Sequence, residues 1–171
     1  MGELLHGKTL GIIGLGTIGK TLVKLVKGFN FNILAFDIFH DEGFAKENNI
    51  AYCSLDNLLS KSDIVSTHLN LSNNNIGLMG EKQFAIMKPT SIFINTSRGE
   101  VVDEKALYHA LKSKEIGAAG IDVFQKEPYQ GQLKDLKNVV LTPHIGSYAK
   151  EIRIQMEIEA TKNLINGLEN E

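Results

Sequence analysis

Three glycines in the string Gly14-Leu15-Gly16-Thr17-Ile18-Gly19 separate a β-rich apolar run, Thr9 to Ile13, from a segment with helical periodicity. Alone, such a string can be a purely structural turn; its place between an expected strand and an expected helix gives it force. The first glycine permits a tight turn, and the second leaves the backbone bare. The third lets a helix lie close on the strand that feeds it. From Ile18 the apolar positions 18, 22, 25, 26 and 29 fall on one face of a helix, and Gly28 reads as its stop. A second strand, Asn32 to Phe36, ends at Asp37. The result is one βαβ unit of about 30 residues.

The same alternation continues to the end of the chain. A short helix is expected over 44–48 and a weak strand over 51–53, with Ser54 capping a helical turn through Leu59. Strands follow at 64–68, 91–95, 118–123 and 139–141. Helices are expected at 81–87, after an Asp103 cap through Lys112, and over 147–168. Alternating strands and helices of these lengths predict an α/β fold. The expected architecture is a doubly wound parallel sheet, Rossmann-like, with residues 1–171 forming one domain.

A bare turn ahead of a helix N-terminus suits a pyrophosphate, because free N–H groups and the helix dipole both favour negative charge. Asp37 lies eighteen residues beyond Gly19, at the end of the second strand. An acid there can accept both ribose hydroxyls of NAD and would repel the extra phosphate of NADP. Ile38 and Phe39 bring no guanidinium to reverse that preference. NAD is the expected cofactor.

Composition removes other classes. A net charge of -2 without a basic block gives nucleic acid nothing to bind. One cysteine, Cys53, excludes an internal disulfide framework and reads as a small core residue. The five histidines, at 6, 40, 68, 109 and 144, are too scattered for structural zinc. Apolar runs are too short for a bilayer, and the first residues do not resemble a signal peptide, so a cytoplasmic address is expected.

Three later segments gather polar groups at expected strand ends: Asn95-Thr96-Ser97-Arg98-Gly99, Asp122 to Pro128 (D-V-F-Q-K-E-P), and Thr142-Pro143-His144-Ile145-Gly146. Together with the glycine turn, and in this order, they resemble the D-isomer-specific 2-hydroxyacid dehydrogenases, especially those similar to D-3-phosphoglycerate dehydrogenase. The resemblance runs from Lys8 to about Leu168.

The resemblance implies roles for these residues. Arg98 would grip the carboxylate of a small 2-hydroxy or 2-keto acid with its planar fork. His144 would exchange a proton with the carbonyl oxygen, and Glu127 would orient the ring and favour the imidazolium. Asp122 would contact the nicotinamide carboxamide, with Thr96 and Ser97 lining that end of the pocket. Gly14, Gly16, Thr17, Ile18, Gly19, Asp37, His68, Leu69, Asn70, Arg98, His144 and Gly146 complete the expected cofactor contacts. His68 reads as a packing or hydrogen-bonding residue rather than a second base. His109 reads as functionally silent, and Ile152, Met156 and Ala160 of the last helix as core. Taken singly, Arg98 could be a loop cation, Glu127 a surface-turn acid and His144 a helix cap.

The chain departs from the family pattern at Thr17, where many relatives carry Arg, and at Asn70, where proline is usual. Family members are also roughly twice as long, with a substrate domain built mainly ahead of the glycine-rich strand. The expectation is therefore a chain that binds NAD(H) but turns substrate over poorly, with its last helix packing towards a substrate domain and a homodimer possible. A second class of function is an NAD-responsive module that recruits a protein partner.

Overall fold

A computed structural model describes residues 3–169. The reading of 1–171 as one unit therefore extends at each end onto residues outside the described ones. Seven strands form one sheet: β1 (Thr9–Ile13), β2 (Asn32–Phe36), β3 (Ile50–Tyr52), β4 (Ile64–Thr67), β5 (Ile92–Asn95), β6 (Ala118–Ile121) and β7 (Val139–Leu141). All neighbours are parallel, in the order β3-β2-β1-β4-β5-β6-β7. Order reverses between β1 and β4, the crevice at which open α/β sheets take ligands.

Helices α1 (Thr17–Leu25) and α2 (Glu42–Glu47) cover one face, burying Val23 and Ala45 with Leu10, Ile12, Ile33 and Ile50. Helices α3 (Leu55–Lys61), α4 (Glu81–Ile86) and α5 (Glu104–Ser113) cover the other. There Leu58, Phe84 and Leu107 pack with Ile13, Val65 and Phe93. Ile12 and Ile13 thus feed opposite cores from one strand, as a period of two requires. The doubly wound α/β architecture is as expected. Ser54 and Asp103 cap α3 and α5 with their side chains, and Asp41 caps α2.

Three local expectations fail. Helix α1 buries the face traced by positions 18, 22, 25, 26 and 29 only in part: Leu22 and Val26 pack against the core. Ile18 is 68% exposed and Leu25 75%, whereas Gly19 and Val23 are buried. A Cβ on Gly19 would lie 2.4 Å from the Gly14 carbonyl oxygen. That close approach sets the rotation of the helix, and a hydropathy pattern cannot register a glycine. Gly28 is not the stop either. The chain runs on through a 3-10 turn at Lys27–Phe29 and reverses at Asn30, in the left-handed region at φ 55°.

The third failure is α6 (Lys150–Glu169), where Ile152 and Met156 are 47% and 49% exposed and Ala160 is exposed too. Its apolar residues alternate at 152, 154, 156 and 158, which spreads them around the cylinder instead of along one stripe. Nothing among the described residues buries them. The α1–α2 side of the sheet is likewise open beyond β4: Ile92 and Val140 are 37% and 68% exposed. Cys53 is only partly buried, and packs against the α3–α5 core.

Candidate cofactor and substrate site

Every residue singled out for binding or chemistry follows the carboxyl end of a strand or opens the helix after it. Gly14 follows β1 at φ 94°, a conformation that favours glycine. A Cβ there would meet the His68 carbonyl oxygen at 2.7 Å and Leu69 at 3.0 Å, so the glycine turn and the end of β4 are in contact. At Gly16, the N-cap of α1, a Cβ would meet nothing within 4 Å. The bare backbone therefore faces open space, as an approaching phosphate requires. Thr17 and Ile18 lie exposed in the first turn.

Asp37 sits directly against this turn. Its Oδ2 accepts from the Leu15 backbone N–H at 2.7 Å and its Oδ1 from that of Phe39 at 3.0 Å. A carboxylate offers about four acceptor positions, so capacity remains for ribose hydroxyls. The ammonium of Lys20, on α1, is engaged by Asp41. His68 is half-buried, with Nε2 2.9 Å from Ser66 Oγ, and burial pushes its pKa down. Asn70 is exposed, and its carbonyl accepts from Asn75 at 2.7 Å.

At the other end, Nδ1–H of His144 donates to Glu127 Oε2 at 2.9 Å, with Oε1 at 3.1 Å. Glu127 also accepts from the Phe124 backbone N–H. The bond from His144, joined by that N–H, holds the Glu127 carboxyl below its ordinary pKa against the opposing effect of burial. With Nδ1 committed, Nε2 is the ring nitrogen left for proton exchange. Arg98, Glu127 and His144 line one cavity of about 270 Å³ together with Gly99, Val123 and Phe124. The Arg98 guanidinium donates to the Ser97 carbonyl at 2.6 Å.

His144 stands at φ 55°, unusual for a residue with a side chain. Asp122, 6% exposed, explains how that is held. Its Oδ1 accepts from Thr142 Oγ1 and the Ile145 N–H, and its Oδ2 from the Gly146 N–H at 3.1 Å. Burial alone would push its pKa up, yet these donors bring it below the ordinary value. Asp122 therefore grips the His144 turn, a task that sequence reasoning did not assign to it. Thr142 was missed too, although it lies in the Thr-Pro-His string. Thr96 is exposed, whereas Ser97 is buried with its hydroxyl turned to Asn95.

The family described as D-isomer specific 2-hydroxyacid dehydrogenase, NAD binding domain, matches residues 1–146. The chain belongs to this family. A glyoxylate reductase of Korarchaeum cryptofilum is 45% identical over 167 residues, 96% of this chain and 50% of the relative. The NAD-complexed D-isomer specific 2-hydroxyacid dehydrogenase of Lactobacillus delbrueckii ssp. bulgaricus superposes with a TM-score of 0.86 at 31% identity, covering 98% of this chain and 55% of that one. A putative D-3-phosphoglycerate dehydrogenase of Ralstonia solanacearum gives 0.90 at 34%, covering 99% and 51%. The chain thus spans about half the length of the relatives it matches. It is an NAD-binding domain of this dehydrogenase family, with the Rossmann-like order of strands that such domains use.

Proposed function

We propose that this chain carries the acid–base and carboxylate-binding groups for reversible reduction of a 2-keto acid to a D-2-hydroxy acid. The observation that carries the reading is the single cavity shared by Arg98 and the Glu127–His144 pair. Gly14, Gly16, Gly19 and Asp37 would hold the pyrophosphate and ribose of NAD, with Thr96 and Asp122 at its other end. When bound, NAD supplies the hydride acceptor or donor. Arg98 fixes the acid by its carboxylate. His144 then delivers a proton from Nε2 to the carbonyl oxygen, and takes it back in the reverse direction, while Glu127 holds the ring.

His144 keeps half of its side-chain surface exposed, so water reaches the reacting groups and turnover by the chain alone is slow. The test follows NADH fluorescence with glyoxylate or hydroxypyruvate under single-turnover conditions. The expected loss in His144→Ala is on the order of 10²-fold or more. Equal rates for the two proteins would contradict the reading.

An apolar cavity of about 530 Å³, walled by Phe124, Pro128, Tyr129, Leu141 and Pro143, favours a second reading, an NAD-responsive module that binds a protein. That module needs the glycine turn and Asp37 but has no use for His144, so the same experiment separates the two. No helix among the described residues is long and apolar enough to cross a membrane. A cytoplasmic location is proposed on composition, and a homodimer on the exposed apolar residues of α6.

A further inference from the structure

Asn95 is 1% exposed at the end of β5, and no step of the chemistry above uses it. Its side-chain amide is nevertheless held at both its oxygen and its nitrogen. Oδ1 accepts from Thr67 Oγ1 at 2.8 Å, from the Ser97 backbone N–H at 3.0 Å and from Ser97 Oγ at 2.8 Å. Nδ2 donates to the Arg98 carbonyl at 2.9 Å. The orientation of the amide is fixed by its partners. Turned over, it would set its NH₂ against the Ser97 N–H and its oxygen against a carbonyl.

Two of these bonds do different work. Thr67 and Asn95 are register partners at the ends of β4 and β5. The Thr67 bond therefore anchors the amide to the rigid sheet. The Nδ2 bond passes that anchorage three residues on, to the backbone of Arg98. Between them the chain turns around the Asn95 oxygen, and Gly99 then abuts Phe124. The Arg98 side chain is exposed, and its guanidinium folds back to donate to the Ser97 carbonyl at 2.6 Å.

We propose that Asn95 is the positioning residue of Arg98: its buried amide ties the Arg98 backbone to the carboxyl ends of β4 and β5, so that the guanidinium meets a carboxylate from a fixed origin. This rests on the reading of Arg98 as the carboxylate-binding group. Alanine at 95 would remove anchor and tether together. Aspartate keeps an acceptor for the Thr67 and Ser97 donors but sets a second oxygen against the Arg98 carbonyl, so Asn95→Asp releases Arg98 while leaving the strand ends joined. Thr67→Val does the converse, loosening the anchor and sparing the tether.

The test is ¹⁵N relaxation of the Arg98 backbone N–H and side-chain Nε–H in the 171-residue chain. The chain's arginines are Arg98 and Arg153, so the side-chain signals are readily assigned. The Arg98 backbone should relax like rigid sheet, with an order parameter near about 0.85, and should fall towards about 0.6 in Asn95→Asp. Signals of β4 and β5 should hold. Thr67→Val should lower it by less, and decides the matter if Asn95→Asp does not fold. Unchanged Arg98 order in the folded variants overturns the proposal, as does a loss spread over the whole sheet. Oxalate titration with NADH present gives the functional arm, about tenfold weaker in Asn95→Asp with NADH affinity retained. Absence of any oxalate binding by the unaltered chain overturns the role of Arg98 but not the tether, which relaxation decides by itself.

Discussion

Gly99 lies so close to Phe124 that a Cβ at position 99 would stand 2.0 Å from the Phe124 carbonyl carbon and 2.4 Å from the Gln125 nitrogen. The two backbones belong to the segments that carry Arg98 and Glu127, so this contact sets their spacing. The Phe124–Gln125 side is itself pinned, because the Gln125 N–H donates to Glu104 and its side chain to the Val102 carbonyl.

Gly99→Ala must therefore move one backbone or the other. Overpacking typically costs about 1–3 kcal/mol, and a backbone neighbour has little room to give. The expected result is a fall in Tm of about 2–12 °C by calorimetry, with oxalate binding weakened more than NADH binding. An unchanged Tm would contradict the contact.

The acid side of the stability curve should report Asp122 and Glu127. Both are held below their ordinary pKa when folded. Each contributes stability that is present above its unfolded pKa, and that is lost as pH falls through the folded value. The chain should therefore be fully stabilised above about pH 5 and weaken as pH drops below about 4. Urea titrations across that window should show a shallower acid slope for Asp122→Asn, in which one of the two accepting oxygens becomes an NH₂ and the donors it held lose their acceptor.

The glycines at 16 and 19 should separate binding from folding. Gly16→Ala places a methyl in open space, so its cost should stay within about 1 kcal/mol, that of a poorer N-cap. Its NADH affinity should nonetheless fall about tenfold or more, because the phosphate loses its close approach. Gly19→Ala drives a methyl against the Gly14 carbonyl and should lower Tm before any ligand is added. Thermal scans with and without NADH distinguish the two.

Polar substitutions on α6 should cost little. Ile154→Ser and Ile158→Ser replace side chains that are 49% and 48% exposed. At a dilution where the chain is monomeric, each should change unfolding free energy by no more than about 0.5 kcal/mol. A loss of several kcal/mol would show that a surface buries the helix in solution.

Much of this arrangement is legible in the residues because local chemistry determines it. The glycine turn, the caps at Ser54 and Asp103, and the β-rich runs lie where short-range rules place them. The order of four motifs then names the family. What escapes is relational. Gly19 fixes the rotation of α1 through contact with Gly14, and hydropathy assigns that position no weight. Ile152 and Met156 look like core residues because apolarity says what can be buried, not whether anything covers it. Asn95 and Asp122 stand in visible motifs, yet their hydrogen bonds run to residues as far as 28 positions away, and no spacing in the sequence reveals them.

Calorimetric titration of the chain with NADH, NADPH and then NADH against Asp37→Ala tests the central claim most directly. The account predicts that NADH binds, that NADPH binds at least about tenfold more weakly, and that the substitution weakens NADH. A folded chain that binds neither dinucleotide, or that binds NADH equally well without Asp37, would contradict it.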